Sequence, residues 1–240
     1  LATSCSRLAR AFKLQPLSIE KLMRPERFHR LRSVLTQRQP DLTVLMDHVH
    51  KPHNFSAILR NCDAVGVLEA HVVIPDEGLD LHHGTSAGTK KWVSVRYHSN
   101  VTQAFELLRK RGFKLLAAHP AQHAIDYRDM DFTGPSAIVM GAELHGVSDE
   151  ALEAADEHVS IPLVGMTHSL NVSVATALLL FEAFRQRKAS GMYNESRLPE
   201  KEFNRKLFEW AYPSLARSRR EQGQPYPALT EDGQIIREDG

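Results

Sequence analysis

Cysteine is nearly absent from this chain, with only Cys5 and Cys62 among 240 residues. That excludes a disulfide framework, and a chain of this length can bury a sizeable core without one. Long apolar runs are missing too: nothing approaches the roughly 18 consecutive residues that could span a bilayer. No membrane partner is expected, and a cytoplasmic location is the default. Internal repeats and low-complexity tracts are also lacking, which removes the solenoid and compositionally biased classes. What remains is a globular composition, 42% hydrophobic and 25% charged.

A strong excess of one charge is absent as well, the formal net being +1. As a whole-chain average this argues against a polyanionic partner. Counted by segment, residues 1–40 carry +7, residues 41–183 carry −8, residues 184–230 carry +5 and residues 231–240 carry −3. An acidic centre therefore lies between basic arms, which fit either solvated surface helices or an electrostatic footprint for nucleic acid.

Residues 1–22 begin without Met and lack the apolar stretch of a secretory signal. They are expected to be disordered or a start-site artefact, with an Arg-rich organellar leader as the alternative. Residues 23–40 form a basic amphipathic pattern in which Phe28, Leu31 and Leu35 recur among Arg24, Arg27, Arg30 and Arg32. From residue 42 the chain alternates short apolar runs with helical patterns. Strands are expected at 42–46, 70–74, 92–96, 114–118, 136–140 and 158–161, and helices at 54–65, 100–111, 148–156 and 170–187. Asn54, Asn100 and Ser148 are candidate caps, and Ser169 would cap the long helix, whose Val174, Leu178, Phe181 and Phe184 share a face. Helices near 198–211 and 214–222 follow, then a turn-rich tail. Six strands alternating with helices imply an α/β fold with a mostly parallel sheet covered on both faces.

In such folds ligands meet the loops after the strands. The loop HKPHNFSAILRNCDAVG places His50, Lys51, His53, Asn54 and Arg60 around one helix entrance, where free backbone N–H groups favour an anion. The stripe Phe55, Ile58, Leu59, Cys62 would bury that helix and leave Arg60 outside it; a plain exposed Arg is the competing reading. His48, His50 and His53 match no metal-ligand spacing, so no metal is expected. The loop GAELHGVS mimics a P-loop but has Val147 where the Lys belongs, so triphosphate binding is set aside. Glu143 in its middle could orient a cation or hydroxyl, or simply serve the next helix as a cap. The loop IPLVGMTHSLNVS brings Ser169 and Asn171 to a helix start beside a compact apolar turn suited to a planar base. The segment GTSAG around Ser86 matches a serine-hydrolase elbow but lacks the strand that must directly precede it.

Together and in this order, the three loops resemble the signature motifs of the SpoU branch of the SPOUT RNA methyltransferases, over about residues 23–227. The resemblance implies a six-stranded parallel sheet with a C-terminal trefoil knot, a homodimer, and S-adenosylmethionine as cofactor. Implied catalytic positions are Asn54, Arg60, Glu143, Ser169 and Asn171. Implied cofactor contacts are Ala117, Ala118, Gly141, Ile161, Met166 and Leu170, Ala118 standing where close relatives carry Thr. The implied reaction is 2′-O-methylation of a tRNA ribose, guanosine 18 of the D-loop by resemblance. Residues 41–190 would be the catalytic domain and 191–240 a helical RNA-binding extension. Arg27, Arg30, His53, Arg217, Arg219 and Arg220 would contact RNA. An rRNA-directed relative and a non-enzymatic RNA-binding or folding module are the alternatives. The proposed activating Arg60 is expected to act as a clamp on phosphate and ribose, because neutralising an arginine at pH 7 costs roughly 7.5 kcal/mol.

Overall fold

The computed structural model describes residues 23–74, 91–121 and 123–236. The Ser86 motif, residues 1–22 and the last four residues lie outside them. Along the chain run α1 (Pro25–Thr36), β1 (Leu42–Asp47), α2 (Pro52–Ala64), β2 (Glu69–Val73), β3 (Ser94–His98), α3 (Val101–Lys110), β4 (Lys114–Ala118), β5 (Ile125–Asp126), β6 (Ser136–Met140), α4 (Asp149–Ala154), β7 (Glu157–Ser160), α5 (Val172–Ala189), α6 (Glu200–Ala211) and α7 (Pro213–Glu221). The strands form one parallel sheet in the order β3-β2-β1-β6-β4-β7-β5. It has seven strands where six were expected. The additional one, β5, is two residues long, too short for any periodicity to mark it.

Central β1 and β6 are buried at every position, as strands covered on both faces must be. Leu42, Val44 and Met46 of β1 point to one side, against Phe55, Ile58, Leu59 and Cys62 of α2 and Leu179, Leu180 and Ala183 of α5. Leu45 points to the other, against Phe105 and Leu108 of α3 and Ala151 of α4. The predicted stripe on α2 is thus the buried face. Burial pushes the Cys62 thiol up to about 12, so it is an inert core residue. None of the helices among the described residues is long and apolar enough to cross a membrane.

A third core joins the two ends of the chain. Phe28, Leu31 and Leu35 of α1 pack with Leu207, Phe208, Trp210 and Ala211 of α6 and Ala216 of α7. The segment after α7 closes over them: Leu229 pairs with Ile235, Tyr212 OH donates to Gly233 O at 2.7 Å, and Gln234 Nε2 donates to Met23 O at 2.8 Å. The basic arms that the charge count set at opposite ends are therefore one structural unit. Two of their cations are internal to the fold: Arg38 donates to Val67 O at 3.0 Å, pairs with Asp63 and stacks on Trp210, while Arg187 is fully buried.

At the β2–β3 edge, the His71 and His98 rings stack 5.1 Å apart with Nδ1 and Nε2 in contact at 2.8 Å. Burial, His71 and Arg96 push His98 down to about 4 despite Glu69. For Glu69, burial pulls upward but the hydrogen bonds with His71 and Arg111 prevail and hold it at about 2. Both groups bind protons less readily folded than unfolded, so stability is complete near neutrality. It falls as the pH drops from about 6.5 towards 4, and further as Glu69 titrates. Urea unfolding across this range should show the decline, and His98→Gln should remove about 1 kcal/mol of it, a figure discounted for solvent screening.

Candidate active site

The loops after β1, β6 and β7 converge at the carboxyl edge of the sheet. α2 opens with Pro52 in its first turn, where a missing N–H is harmless. Asn54 is therefore not the expected cap. It sits inside that first turn, 2% exposed, with its amide aimed across the sheet edge.

That amide is the centre of a polar relay. Asn54 Nδ2 donates to Glu143 Oε1, and Asn54 Oδ1 accepts from Asn171 Nδ2 at 3.2 Å. Asn171 Oδ1 in turn accepts from the Ser173 N–H at 2.9 Å and the Ser173 hydroxyl at 2.6 Å. Asn171, not Ser169, caps α5. Asn61 Nδ2 donates to Ser173 O at 2.9 Å, so α2 and α5 are tied twice beside the relay.

Glu143 is presented by a tight turn. Ala142 and Gly146 exchange backbone hydrogen bonds of 2.8 and 2.9 Å. A Cβ on Gly141 would lie 1.9 Å from the Gly146 carbonyl carbon and 2.0 Å from the Val147 nitrogen, so only glycine fits there. The turn is anchored by buried Asp47, whose Oδ2 accepts the Ser148 N–H at 2.8 Å and whose Oδ1 contacts His48 Nδ1 at 2.6 Å. Burial pulls the Glu143 carboxyl upward, but the Asn54 hydrogen bond, its own backbone, Lys51 and His50 together hold it below the usual range. It is an ionised acceptor at neutral pH.

Beside the relay lies a cavity of about 490 Å³. Of the expected residues, Ala118, Gly141, Glu143, Ile161, Ser169, Leu170 and Asn171 line it. Ala117 lies fully buried in β4. Met166 is 95% exposed on the 161–171 loop and outside the lining. Arg60 is exposed on α2, also outside the lining, with no ion pair among the described residues. His53 is exposed on the first turn of the same helix. Arg27, Arg30 and Arg217 are exposed and unpaired among the described residues, Arg219 donates to Pro225 O at 3.4 Å, and Arg220 pairs with Glu209 at 3.4 Å.

The expected list left out His119 and Pro120, which line the cavity directly after β4, and Ser173, which ends the relay. The strand-end rule pointed to the first two; nothing in the sequence marked the third as more than a small residue. No cluster of three His, Cys, Asp or Glu residues suited to a metal occurs among the described residues.

Residues 41–181 match the SpoU rRNA Methylase family and residues 185–238 the SpoU rRNA methylase C-terminal family. The chain is 47% identical over 215 residues to the tRNA (guanosine(18)-2′-O)-methyltransferase of Escherichia coli K12, covering 89% of this chain and 94% of that one. The crystal structure of the A. aeolicus TrmH/SpoU tRNA modifying enzyme superposes with a TM-score of 0.73 at 42% identity, covering 79% of this chain and 97% of that one. The SpoU methyltransferase AviRb of Streptomyces viridochromogenes, in complex with AdoMet, superposes with a TM-score of 0.57 at 25% identity, over 64% of this chain and 62% of that one. With the first family match alone running over more than half the residues, on a parallel sheet whose three motif loops meet at one cleft, the chain belongs to the SpoU methylase family.

Proposed function

We propose that this protein methylates a ribose 2′-hydroxyl of tRNA, at guanosine 18, using S-adenosylmethionine bound in the strand-end cavity. The observation that carries the reading is the Glu143–Asn54–Asn171 relay at the lip of a cavity large enough for a nucleoside cofactor. Alignment across 94% of a tRNA (guanosine(18)-2′-O)-methyltransferase supports tRNA over rRNA. The relay itself speaks against a purely RNA-binding module.

The cavity suits this cofactor because small and apolar residues, Ala118, Gly141, Ile161 and Leu170, leave backbone groups accessible to a planar base. When bound, the cofactor supplies an electrophilic sulfonium methyl. The chain does the positioning. Glu143 is ionised and accepts a hydrogen bond, and then the proton, from the ribose hydroxyl as its oxygen takes the methyl, while Asn54 fixes the carboxylate and Asn171 fixes Asn54. Arg60 holds a phosphate as a clamp. Alignment of this kind can contribute about 7 to 11 kcal/mol, enough that no strong base is required.

Residues 41–190 form the catalytic part in this reading, and 23–40 with 191–240 form one RNA-gripping unit. The order β6-β4-β7, with a late strand beside β4, supports the trefoil reading of the 161–171 segment. A second copy is proposed to cover the outer face of α5, where Val174 and Phe181 are 48% and 49% exposed beside Leu178 and Tyr127. Phe181→Glu should convert a dimer into a folded monomer in sedimentation; wild-type protein that sediments as a monomer at micromolar concentration would refute the dimer.

The direct test supplies methyl-labelled cofactor with unmodified bulk tRNA and with rRNA, then maps the 2′-O-methyl sites. Label is expected in tRNA alone. Incorporation only into rRNA, or into neither, overturns the reading.

A further inference from the structure

A concavity larger than the strand-end cleft lies elsewhere in the molecule. It lies in the shared core of the two arms, a groove of about 1030 Å³ between α6 and the 223–231 segment. Its walls include Phe203, Leu229 and Tyr226, the last stacked on Phe208 with ring centroids 4.7 Å apart and planes 19° from parallel. Four cations line the same groove: Arg32, Lys201, Arg205 and Arg220. Against them stand two carboxylates, Glu209 and Glu231. Glu209 is already occupied, accepting from Arg205 at 3.0 Å, Tyr226 OH at 3.3 Å and Arg220 at 3.4 Å.

Glu209 therefore acts as an internal anchor. It holds two guanidinium groups and a phenol beside an aromatic wall, and each guanidinium keeps further N–H donors free for a ligand. Aromatic faces interleaved with arginine are the chemistry that receives an unstacked nucleobase together with its phosphate. α1 itself contributes Phe28 and Arg32 to the lining, and Arg24, Arg27 and Arg30 at its start are exposed and without an ion pair among the described residues.

We propose that this groove is a second RNA subsite, which stacks an unpaired base of the substrate tRNA against Tyr226 at a distance from the methyl-transfer cleft. The proposal rests on the tRNA reading above. It makes Tyr226 an affinity determinant that contributes by stacking rather than by charge.

The test uses the full chain and an end-labelled, unmodified tRNA transcript, with affinity measured by anisotropy over a range of salt. Tyr226→Ala should weaken binding about 10-fold, as expected for loss of one base–aromatic stack. The slope of log affinity against log salt should stay unchanged, because no phosphate contact is lost. Tyr226→Phe should bind within two-fold of wild type, and cofactor affinity should be the same in all three proteins. Unchanged tRNA affinity in Tyr226→Ala overturns the subsite, and would leave the groove to a protein segment. Weakened binding with a flattened salt slope overturns it too, since that marks collapse of the whole arm. If wild-type protein binds no tRNA at all, it is the function reading that fails.

Discussion

Arg187→Ala should destabilise the protein by about 3 kcal/mol, lowering the thermal midpoint by roughly 10 °C, because a fully buried side chain and its five hydrogen bonds are lost together. The side chain is fully buried near the end of α5, and every donor is used. Its Nε donates to Phe132 O at 2.8 Å, Nη1 to Asp41 Oδ1 at 2.6 Å and Gln39 Oε1 at 3.2 Å, and Nη2 to Gly134 O at 2.7 Å and Asp41 O at 3.1 Å. One guanidinium thus ties α5 to the entry of β1 and to the turn before β6. Removing it takes the side-chain donor from Phe132 O and one of the two guanidinium partners from Asp41, which keeps Arg197 at 2.8 Å and, at its carbonyl, the Ser136 N–H at 2.9 Å; lysine, with three donors on one point, cannot replace a planar fork of five. Arg187→Lys should recover only part of the loss. A change below 1 kcal/mol in urea unfolding would contradict this account.

Asn54→Ala should cut kcat/KM about 100-fold while costing little stability, comparable to the loss of one preorganised donor in an active site. The amide is the only link in the relay that touches both Glu143 and Asn171. Asn54→Asp is the sharper variant, because it keeps the shape and replaces a donor with a second carboxylate. Two carboxylates sharing a site cannot both ionise easily, so one is raised. The acid limb of the pH–rate profile should then move upward relative to wild type, where Glu143 is held low. Equal profiles would mean that Asn54 serves packing alone.

The sequence made the central sheet readable because β4 and β6 are short apolar runs bounded by turns, and their predicted limits coincide with those observed. β3 lies two residues later than expected. Trp92 and Val93 look like strand residues, yet Trp92 packs edge-on against Trp210 of α6, and the strand itself is a half-exposed edge. On α5, Val174, Leu178 and Phe181 of the predicted face are exposed, while Phe184 packs against the core beside Tyr193. The buried face is Val172, Thr176, Leu179, Leu180, Ala183 and Arg187. A helix apolar on two sides has no single stripe to read, which is what one side against the sheet and one against a second copy would require.

The candidate site was legible in part. Glu143, Asn54 and Asn171 meet as the motif order suggested, because loops that leave parallel strands of one sheet emerge at the same carboxyl edge. Their division of labour was hidden: the sequence offers Asn54 and Ser169 as caps, and only the chain path shows Pro52 starting one helix and Asn171 capping the other. Charge counting likewise could not tell Arg38 and Arg187, buried in the fold, from Arg27 and Arg217, exposed at the surface.

On the proposed mechanism the relay directs a ribose hydroxyl, not a base, towards the methyl group. Methyl transfer to a tRNA transcript carrying 2′-deoxyguanosine at position 18 tests this most directly. One methyl is expected per tRNA with ribose at position 18 and none on the deoxy-substituted transcript, with both bound equally well; methylation of the deoxy-substituted transcript would rule out transfer to the 2′-hydroxyl of position 18.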